Sequence, residues 1–333
     1  AGSDKAYKKD DVIGVKGIEA IYEEYLRNVR PNYYLKATVD AYGKPLLGLG
    51  FNKIINKSEE SNRYNVILTI DNRIQKIVEE IMDKQVFKGA VVILDCITGE
   101  VLALASRPDF DQNMISKYVQ KSSQSEFINR AMVHYYPGSV FKVIIAAAAM
   151  EEGLVNLDEK FECTGEFKFE LGLIIPCWKK DGHGKIFFKE ALAHSCNPVF
   201  IELGMRLGES KILEYAKKFG LNQDDILGYP LQNHSLLKID KNSSGAIGNA
   251  AIGQQGIRLS PIQVAKMYAV IANDGVYNQP SVVLRIEDNK NHIVKKFIQK
   301  QGVQIISPKT AKNLQEMLKL ATTVGTAKKA WVH

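Results

Sequence analysis

Long apolar runs, basic tracts with interleaved aromatics and the Gly-x-Ser-x-Gly pattern are all missing from this 333-residue chain. No segment reaches the ~18–20 apolar residues that a transmembrane helix needs. Without a Lys/Arg-rich tract that carries aromatics, we expect no binding to nucleic acid. Without Gly-x-Ser-x-Gly, the serine elbow of the α/β-hydrolases is excluded. What is present is 45% hydrophobic residues over a length that suggests about two domains.

The segment from Ser139 to Lys142 carries the strongest chemical signal. It follows the turn signal Pro137-Gly138 and opens the apolar run Val143 to Met150, which has helix-forming composition and length. Ser139 and Lys142 are therefore predicted one turn apart, near a helix N-terminus. Serine needs an adjacent base to act as a nucleophile, and a desolvated lysine can lose its proton and serve. The backbone N–H groups at the helix start favour developing negative charge.

Ser-x-x-Lys spacing alone is a weak signal. Ser235 to Lys238 repeats it in a polar, loop-like stretch with no apolar helix behind it, and we interpret that copy as chance. For Ser139 the ordinary alternative is a helix N-cap serine beside a solvated lysine. A Ser-His-Asp arrangement using His183 or His194 is not favoured, because Lys142 already fills the role of the base.

An ordered series of segments resembles class B (monofunctional) penicillin-binding proteins. Ser139 to Lys142 matches their Ser-x-x-Lys element, and Ser195 to Asn197 matches a Ser-x-Asn type element. Several ordered matches together are far more specific than any one of them. The further matching segments are Val66–Asp71, Thr98–Ala103, Asn129–Ala131, Ala251–Gly256, Leu259–Pro261, Ala272–Gly275 and Val324–Ala327.

The third element of that family, Lys-Thr-Gly, is absent from the sequence. Lys309-Thr310-Ala311 lacks the glycine and lies in a helical stretch. In the family, a segment like Gly325-Thr326-Ala327 comes shortly before the Lys-Thr-Gly strand, which supplies an oxyanion-hole N–H and holds a substrate carboxylate. In a longer chain that strand would follow His333, and a chain that ended at His333 is expected to be a poor enzyme.

The resemblance implies an acyl-serine D,D-transpeptidase that crosslinks peptidoglycan stem peptides ending in D-Ala-D-Ala and is acylated by β-lactams. It implies Ser139 as nucleophile, Lys142 as general base, Ser195 as proton relay and Asn197 as the residue that positions substrate and lysine. No cofactor is required for this acyl transfer. The ordinary alternative for Ser195 and Asn197 is a turn or helix cap. Other functions to weigh are a β-lactam sensor, a serine β-lactamase on the same fold and a non-catalytic cell-wall scaffold.

The implied fold class is α+β. A penicillin-binding transpeptidase (serine β-lactamase-like) domain, with helices packed on an antiparallel sheet, is expected at residues 64–333, without its Lys-Thr-Gly strand. A smaller, incomplete N-terminal pedestal is expected at residues 1–63, including a helical stretch from Gly17 to Arg27. Residue patterns agree, because strands are predicted at both ends of a helical middle. They predict strands at 66–70, 90–95, 100–106, 281–286 and 292–297, and helices after Asp71 and at 139–152, 199–207, 211–219, 261–272 and 307–320.

The resemblance also implies partners and a location. The partners are peptidoglycan stem peptides, β-lactam antibiotics and a membrane glycosyltransferase. The cellular process is elongation, division or sporulation. The location is the extracytoplasmic face of the bacterial membrane, with an N-terminal transmembrane anchor upstream of residue 1. The net charge of +7 is compatible with an ordinary solvated surface or with anionic partners, such as phospholipid headgroups or a pyrophosphate-bearing precursor.

Three of the four cysteines cluster with two histidines along the chain. Cys163, Cys177, His183 and Cys196 could complete a closed tetrahedral zinc site of the structural type. If the segment around Ser195 is extended, Cys196 faces away from Ser195 and Asn197. A disulfide between Cys163 and Cys177, or reduced buried thiols, are the alternatives. Cys96 lies apart and is expected to be simply buried.

Overall fold

The computed structural model describes residues 13–27, 33–42, 44–46, 51–55, 64–120, 125–222, 226, 228, 236–299 and 301–330. The chain forms two compact units. The smaller holds the described residues up to Leu68 together with Val283–Ile298, and the larger holds Thr69–Val282 and the described residues from Gln299 onward. The division thus differs from the boundary expected at residue 64. It adds residues 64–68 and 283–298 to the smaller unit, where strand β3 at 65–68 pairs with strand β13 at 283–287.

The smaller unit contains two antiparallel sheets and two short helices. Strands β1 and β2 pair with each other, and β13 lies between β14 and β3, with Val66 opposite Ile286. The predicted helix from Gly17 to Arg27 is interrupted at Tyr22, whose φ of −107° and ψ of 18° are not helical. Tyr22 is buried and its ring meets Phe297 edge-on. The elements are α1 (Gly17–Ile21), α2 (Glu23–Leu26), β1 (Tyr33–Ala37), β2 (Phe51–Ile55), β3 (Asn65–Leu68), β13 (Val283–Glu287) and β14 (Ile293–Lys296).

The larger unit combines helices with short antiparallel strand pairs, as the predicted α+β class requires. Its helices are α3 (Asn72–Gln85), α4 (Ile115–Val119), α5 (Lys142–Glu151), α6 (Phe188–Ala193), α7 (Asn197–Lys218), α8 (Ser244–Ala251), α9 (Pro261–Ala272) and α10 (Pro308–Thr323). Its strands are β4 (Gly89–Leu94), β5 (Val101–Arg107), β6 (Lys160–Cys163), β7 (Glu166–Lys168), β8 (Ile174–Pro176), β9 (Gly184–Phe187), β10 (Leu236–Leu237), β11 (Ile257–Arg258), β12 (Val276–Tyr277) and β15 (Val303–Gln304). The antiparallel pairs are β4 with β5, β6 with β9, β7 with β8, β10 with β11 and β12 with β15.

Helix α5 lies at the centre of the larger unit. Its residues from Lys142 to Ala149 are all buried, so the helix is enclosed on every side rather than amphipathic. Helices α7 and α10 pack against it. The β4–β5 hairpin forms a second layer, in which α3 packs against β5 and α9 packs against β4. Side chains of α3 and β5 form the small cluster Val78, Met82, Ala103 and Ala105.

Helix boundaries follow local capping chemistry. The Asp71 carboxylate accepts hydrogen bonds from the N–H groups of Arg73 and Ile74 and starts α3, as predicted. Ser307 accepts from Thr310 N–H and starts α10, with proline in the first turn. The two helices predicted at 199–207 and 211–219 join end to end as α7, with a non-helical residue at Gly208. In the part of the chain that the structure describes, no helix has the length and apolarity to cross a membrane.

Candidate active site

Ser139 lies on a 3-10 turn, Gly138–Phe141, that runs directly into α5 at Lys142. The α-helix therefore begins three residues later than predicted, but the two side chains keep their one-turn separation. Ser139 is exposed, whereas Lys142 is fully buried. The turn thus sets an accessible hydroxyl beside a desolvated amine.

The Ser139 turn is anchored by the loop that follows α8. Gly138 N–H donates to Gly253 O at 2.9 Å. Gly253 has a φ of +71°, and a Cβ there would lie 2.1 Å from Gly138 O. Only glycine fits such a position, because a side chain would be strained and would also push the turn away. The loop belongs to the matching segment Ala251–Gly256, so the sequence indicated its importance without giving the contact.

Lys142 joins the two predicted motifs. Its Nζ donates to Ser195 O at 2.8 Å, to Ser195 Oγ at 3.0 Å and to Asn197 Oδ1 at 2.7 Å. Burial lowers the pKa of Lys142 to about 8, against an opposite effect from the nearby Cys196 and Cys177. A substantial neutral fraction therefore exists near neutral pH. Among the described residues, no hydrogen bond links the exposed Ser139 hydroxyl to this group.

Ser195 adopts a left-handed backbone conformation at the end of α6, with a φ of 53°. Ser195 N–H donates to Leu192 O at 3.0 Å and Cys196 N–H donates to Ala191 O at 2.9 Å. These two bonds form a Schellman motif, in which glycine usually occupies the left-handed position. The segment is therefore a tight turn, so the extended backbone on which the predicted direction of Cys196 depended is not present. Asn197 begins α7, and its Nδ2 donates to Pro176 O at 3.0 Å.

A second cluster includes Cys196, the residue between Ser195 and Asn197. The ligand atoms of Cys163, Cys177, His183 and Cys196 all lie within 4.8 Å of one another. Cys177 Sγ is 3.6 Å from His183 Nδ1. The structure thus brings Cys196 together with the other three candidate ligands, while its neighbours Ser195 and Asn197 contact Lys142. All four cysteines of the chain are free thiols, so no disulfide joins Cys163 to Cys177.

The protonation preferences in this cluster differ from residue to residue. Burial works to raise the pKa of Cys163, but the N–H groups of His183 and Gly165 outweigh it and leave that pKa below its usual value. Burial raises the pKa of Cys196 strongly. Burial and the neighbouring His194 lower the pKa of His183, which keeps the imidazole neutral. Thiolate and neutral imidazole are the forms that bind metal, so the pKa directions at Cys163 and His183 favour metal binding and that at Cys196 opposes it.

The loops that carry these ligands pack backbone against backbone. A Cβ at Gly165 would lie 2.0 Å from Lys180 O, and one at Gly182 would lie 2.0 Å from Cys163 O. Both glycines have positive φ values. Within the described residues, His183 Nε2 is a buried atom without a hydrogen-bond partner. Sequence reasoning missed both glycines, although each lies within two residues of a predicted ligand and could have been noted.

The structure describes two of three other features that the sequence singled out. Ser235, in the second Ser-x-x-Lys copy, lies outside the described residues. Thr326 N–H, in the segment Val324–Ala327, donates to Ala193 O at 3.1 Å, two residues before Ser195. Cys96 is partly exposed rather than buried and is remote from the cysteine cluster.

Comparison with known proteins identifies the family. The family model described as "Penicillin binding protein transpeptidase domain" matches residues 89–332, which is most of the chain. The chain belongs to the penicillin-binding protein transpeptidase family. Its resemblance to class B members is confirmed by curated relatives. Stage V sporulation protein D of Bacillus subtilis is 31% identical over 96% of this chain and 49% of that protein. The peptidoglycan D,D-transpeptidase PbpA of Mycolicibacterium smegmatis is 30% identical over 80% of this chain and 58% of that protein.

Solved structures agree with the penicillin-binding transpeptidase fold. A structure described as "Structural coordination of polymerization and crosslinking by a peptidoglycan synthase complex" matches with a TM-score of 0.77 and 27% identity, over 97% of this chain and 59% of that one. The penicillin G acyl-enzyme complex of penicillin-binding protein A from M. tuberculosis matches in fold, with a TM-score of 0.73 and 23% identity over 88% of this chain and 80% of that one. The chain spans about half the length of the curated relatives it matches.

Proposed function

We propose that this chain carries the acylation site of a class B penicillin-binding protein, and that the full-length protein is a peptidoglycan D,D-transpeptidase. The observation that carries the proposal is the buried Lys142, whose amine is held by Ser195 and Asn197 one turn after the exposed Ser139. The relatives named D,D-transpeptidases support the same assignment. The larger unit would be the transpeptidase domain and the smaller unit the non-catalytic pedestal.

In the proposed acylation, Ser139 Oγ bonds to the carbonyl carbon before the terminal D-Ala of a stem peptide. Neutral Lys142 accepts the hydroxyl proton, which is favourable because burial keeps its pKa near 8. The proton then passes through Ser195 Oγ, 3.0 Å from Nζ, to the departing D-Ala amine as the C–N bond breaks. Asn197 Oδ1 holds the lysine, and an amine of a second peptide later displaces Ser139 to form the crosslink.

Partners and location follow from this substrate. Stem peptides and β-lactams would be the ligands, and a membrane glycosyltransferase would supply the glycan strands. The similarity to a peptidoglycan synthase complex supports a partner of that kind. The full-length protein would be anchored in the membrane and would catalyse the crosslinking reaction at the extracytoplasmic face. Elongation, division and sporulation all use this chemistry, and the sporulation relative supports the last of the three.

The test is intact mass spectrometry of the full-length protein after exposure to a penicillin. Wild type and Ser235→Ala should carry one persistent penicilloyl adduct, whereas Ser139→Ala should carry none. Ser235→Ala is the matched control because it removes the serine of the other Ser-x-x-Lys copy. Absence of an adduct on wild type would favour a scaffold. An adduct that hydrolyses quickly would indicate a β-lactamase.

We also infer that Cys163, Cys177, His183 and Cys196 bind a structural Zn²⁺. Three thiols and one imidazole within 4.8 Å complete a tetrahedral site with no position left open for substrate. Such an ion supplies folding free energy and no acyl chemistry. Because Cys196 stands between Ser195 and Asn197, the ion would also brace the turn that contacts Lys142.

Metal analysis of the purified protein tests the zinc proposal. We expect zinc equimolar with protein, lost in Cys163→Ser together with a lower unfolding midpoint. Cys96→Ser is the matched control, because Cys96 lies outside the cluster, and it should keep both metal and midpoint. Metal-free native protein in which a thiol reagent titrates all four cysteines would contradict the proposal.

A further inference from the structure

The turn between α6 and α7 presents three successive carbonyl groups, and each accepts a hydrogen bond from a distant part of the chain. Carbonyls at the end of a helix have no partner within the helix and must find one elsewhere. The three pairs are Thr326 N–H to Ala193 O at 3.1 Å, Trp178 Nε1–H to His194 O at 2.8 Å, and Lys142 Nζ to Ser195 O at 2.8 Å. Only the last belongs to the acylation chemistry.

We propose that Trp178 and the pair Gly325–Thr326 are positioning residues for acylation. They would hold the Ser195 turn from two sides, so that Ser195 and Asn197 meet the amine of Lys142. A non-glycine residue with positive φ persists only where the surroundings over-determine it. The Schellman bonds secure the turn to its own helix, and the two distant donors fix it relative to the rest of the site. This inference rests on the proposed function, because it assigns a role through Ser195.

Trp178 has a geometry that burial alone does not explain. It is 58% exposed, so its ring gains little from removal from water. Its indole nitrogen can only donate, and it donates to His194 O. One edge of the ring meets His183 with centroids 5.4 Å apart. Cys177 fixes the backbone just before it, through a bond from its N–H to Gly165 O. Trp178 is thus fixed at its backbone by the neighbouring Cys177 and at its indole nitrogen by His194, the residue before Ser195.

Gly325 allows the second anchor to approach closely. A Cβ on Gly325 would lie 2.1 Å from Ala193 O and 2.7 Å from Ala193 C. Those are backbone atoms of α6, which cannot rotate aside as a flexible side chain would. Any larger residue at position 325 therefore has to displace the end of α6, and with it Ser195. Thr326 N–H then completes the contact, and the Thr326 hydroxyl lies 3.5 Å from the same oxygen.

The test separates chemistry from binding in the full-length protein. For a penicillin, we would measure the acylation rate constant at saturation and the dissociation constant of the non-covalent complex, below the unfolding midpoint of every variant. Trp178→Phe keeps the ring and removes the N–H. We expect its saturated rate to fall roughly five- to tenfold, the effect of one hydrogen bond, with an unchanged dissociation constant. Trp178→Ala should lower the rate to the same extent.

Gly325→Ala should lower the saturated rate by about 100-fold, because catalytic geometry tolerates little displacement. The matched controls are Thr323→Ala, an exposed position two residues earlier, and Phe87→Ala, an exposed aromatic in the same unit. Both should acylate as wild type does.

The two hypotheses fail in different ways. If wild type forms no adduct, the proposed function fails. If wild type is acylated and Trp178→Phe keeps its saturated rate, the positioning role of Trp178 is overturned. A rate kept in Trp178→Phe, with binding weakened only in Trp178→Ala, would instead make Trp178 an aromatic contact for the ligand. A rate kept in Gly325→Ala would overturn the second anchor.

Discussion

Ser195 occupies a backbone position that usually belongs to glycine. Its φ of 53° places it at the left-handed position of a Schellman motif, yet the proposed proton relay requires a hydroxyl there, 3.0 Å from Lys142 Nζ. Left-handed conformation costs a non-glycine residue of order 1–3 kcal/mol. The requirement for a hydroxyl at this position therefore opposes the stability of the turn.

That conflict predicts how two substitutions of Ser195 differ in stability. Ser195→Gly relieves the backbone strain, whereas Ser195→Ala keeps it, and both remove the hydroxyl. We expect Ser195→Gly to be the more stable of the two by about 1 kcal/mol, or roughly 2–4 °C in unfolding midpoint. Both should react slowly with penicillin. Calorimetry on the two proteins decides the matter, and an equal or lower midpoint for Ser195→Gly would show that the turn is unstrained.

The lowered pKa of Lys142 predicts how the acylation rate depends on pH. In the proposed mechanism only the neutral amine can accept the Ser139 proton, and burial lowers the lysine pKa to about 8. The acylation rate should therefore rise with pH through about 8 and level off above it, with about one molecule in ten active at pH 7. Lys142→Arg should abolish the reaction, because arginine stays protonated. A profile that is already level above about pH 6.5 would point to a histidine as the base.

Sequence reasoning selected Lys142, Ser195 and Asn197, which the structure brings into contact, because each belongs to a short motif. It could not find Trp178 or Gly325, whose partners lie 16 and more than 130 residues away along the chain. A single sequence contains no local signal for such contacts. The left-handed Ser195 was also missed, since serine is not the residue that usually marks that conformation.

At the scale of elements, the loop after α8 contacts the Ser139 turn directly, through Gly253 and Gly138. Gly253→Ala should lower acylation by about 100-fold, because a Cβ at 2.1 Å from Gly138 O displaces the turn. Gly153→Ala is the matched control, with a φ of +67° and open space around its Cβ at the far end of α5. It should lose stability without losing acylation. Similar acylation rates in the two variants would contradict a positioning role for Gly253.

Elements with a strong local pattern were predicted best. Helices α3, α9 and α10 have caps and apolar faces that the sequence displays, and the β4–β5 hairpin has a turn signal between its strands. The start of α5 was misplaced by three residues, because a 3-10 turn and an α-helix have similar sequence preferences. The interruption at Tyr22 was missed because its apolar spacing fits one helix, while the burial of its ring against Phe297 is a tertiary contact.

At the scale of the whole molecule, the smaller unit is discontinuous in sequence. Strand β13 lies between β14 and β3, so its β3 edge is covered only while residues 65–68 are present. A fragment beginning at Tyr64 keeps β3, whereas one beginning at Thr69 leaves one edge of β13 without a partner strand, while β14 still pairs with the other edge. Exposed strand edges promote association. We expect the shorter fragment to unfold at lower temperature and to self-associate in size-exclusion chromatography. Identical behaviour of the two fragments would show that β3 is dispensable.

The same pairing sets an order of events during synthesis. Val66 pairs with Ile286, 220 positions later in the chain (286 − 66). At roughly 5–20 residues per second, a ribosome needs about 11 to 44 s to deliver β13 after β3 has emerged. During that interval β3 has no partner strand, while the β4–β5 hairpin can already form behind it. The three-stranded sheet of the smaller unit is therefore completed late in translation, although β3 is made early.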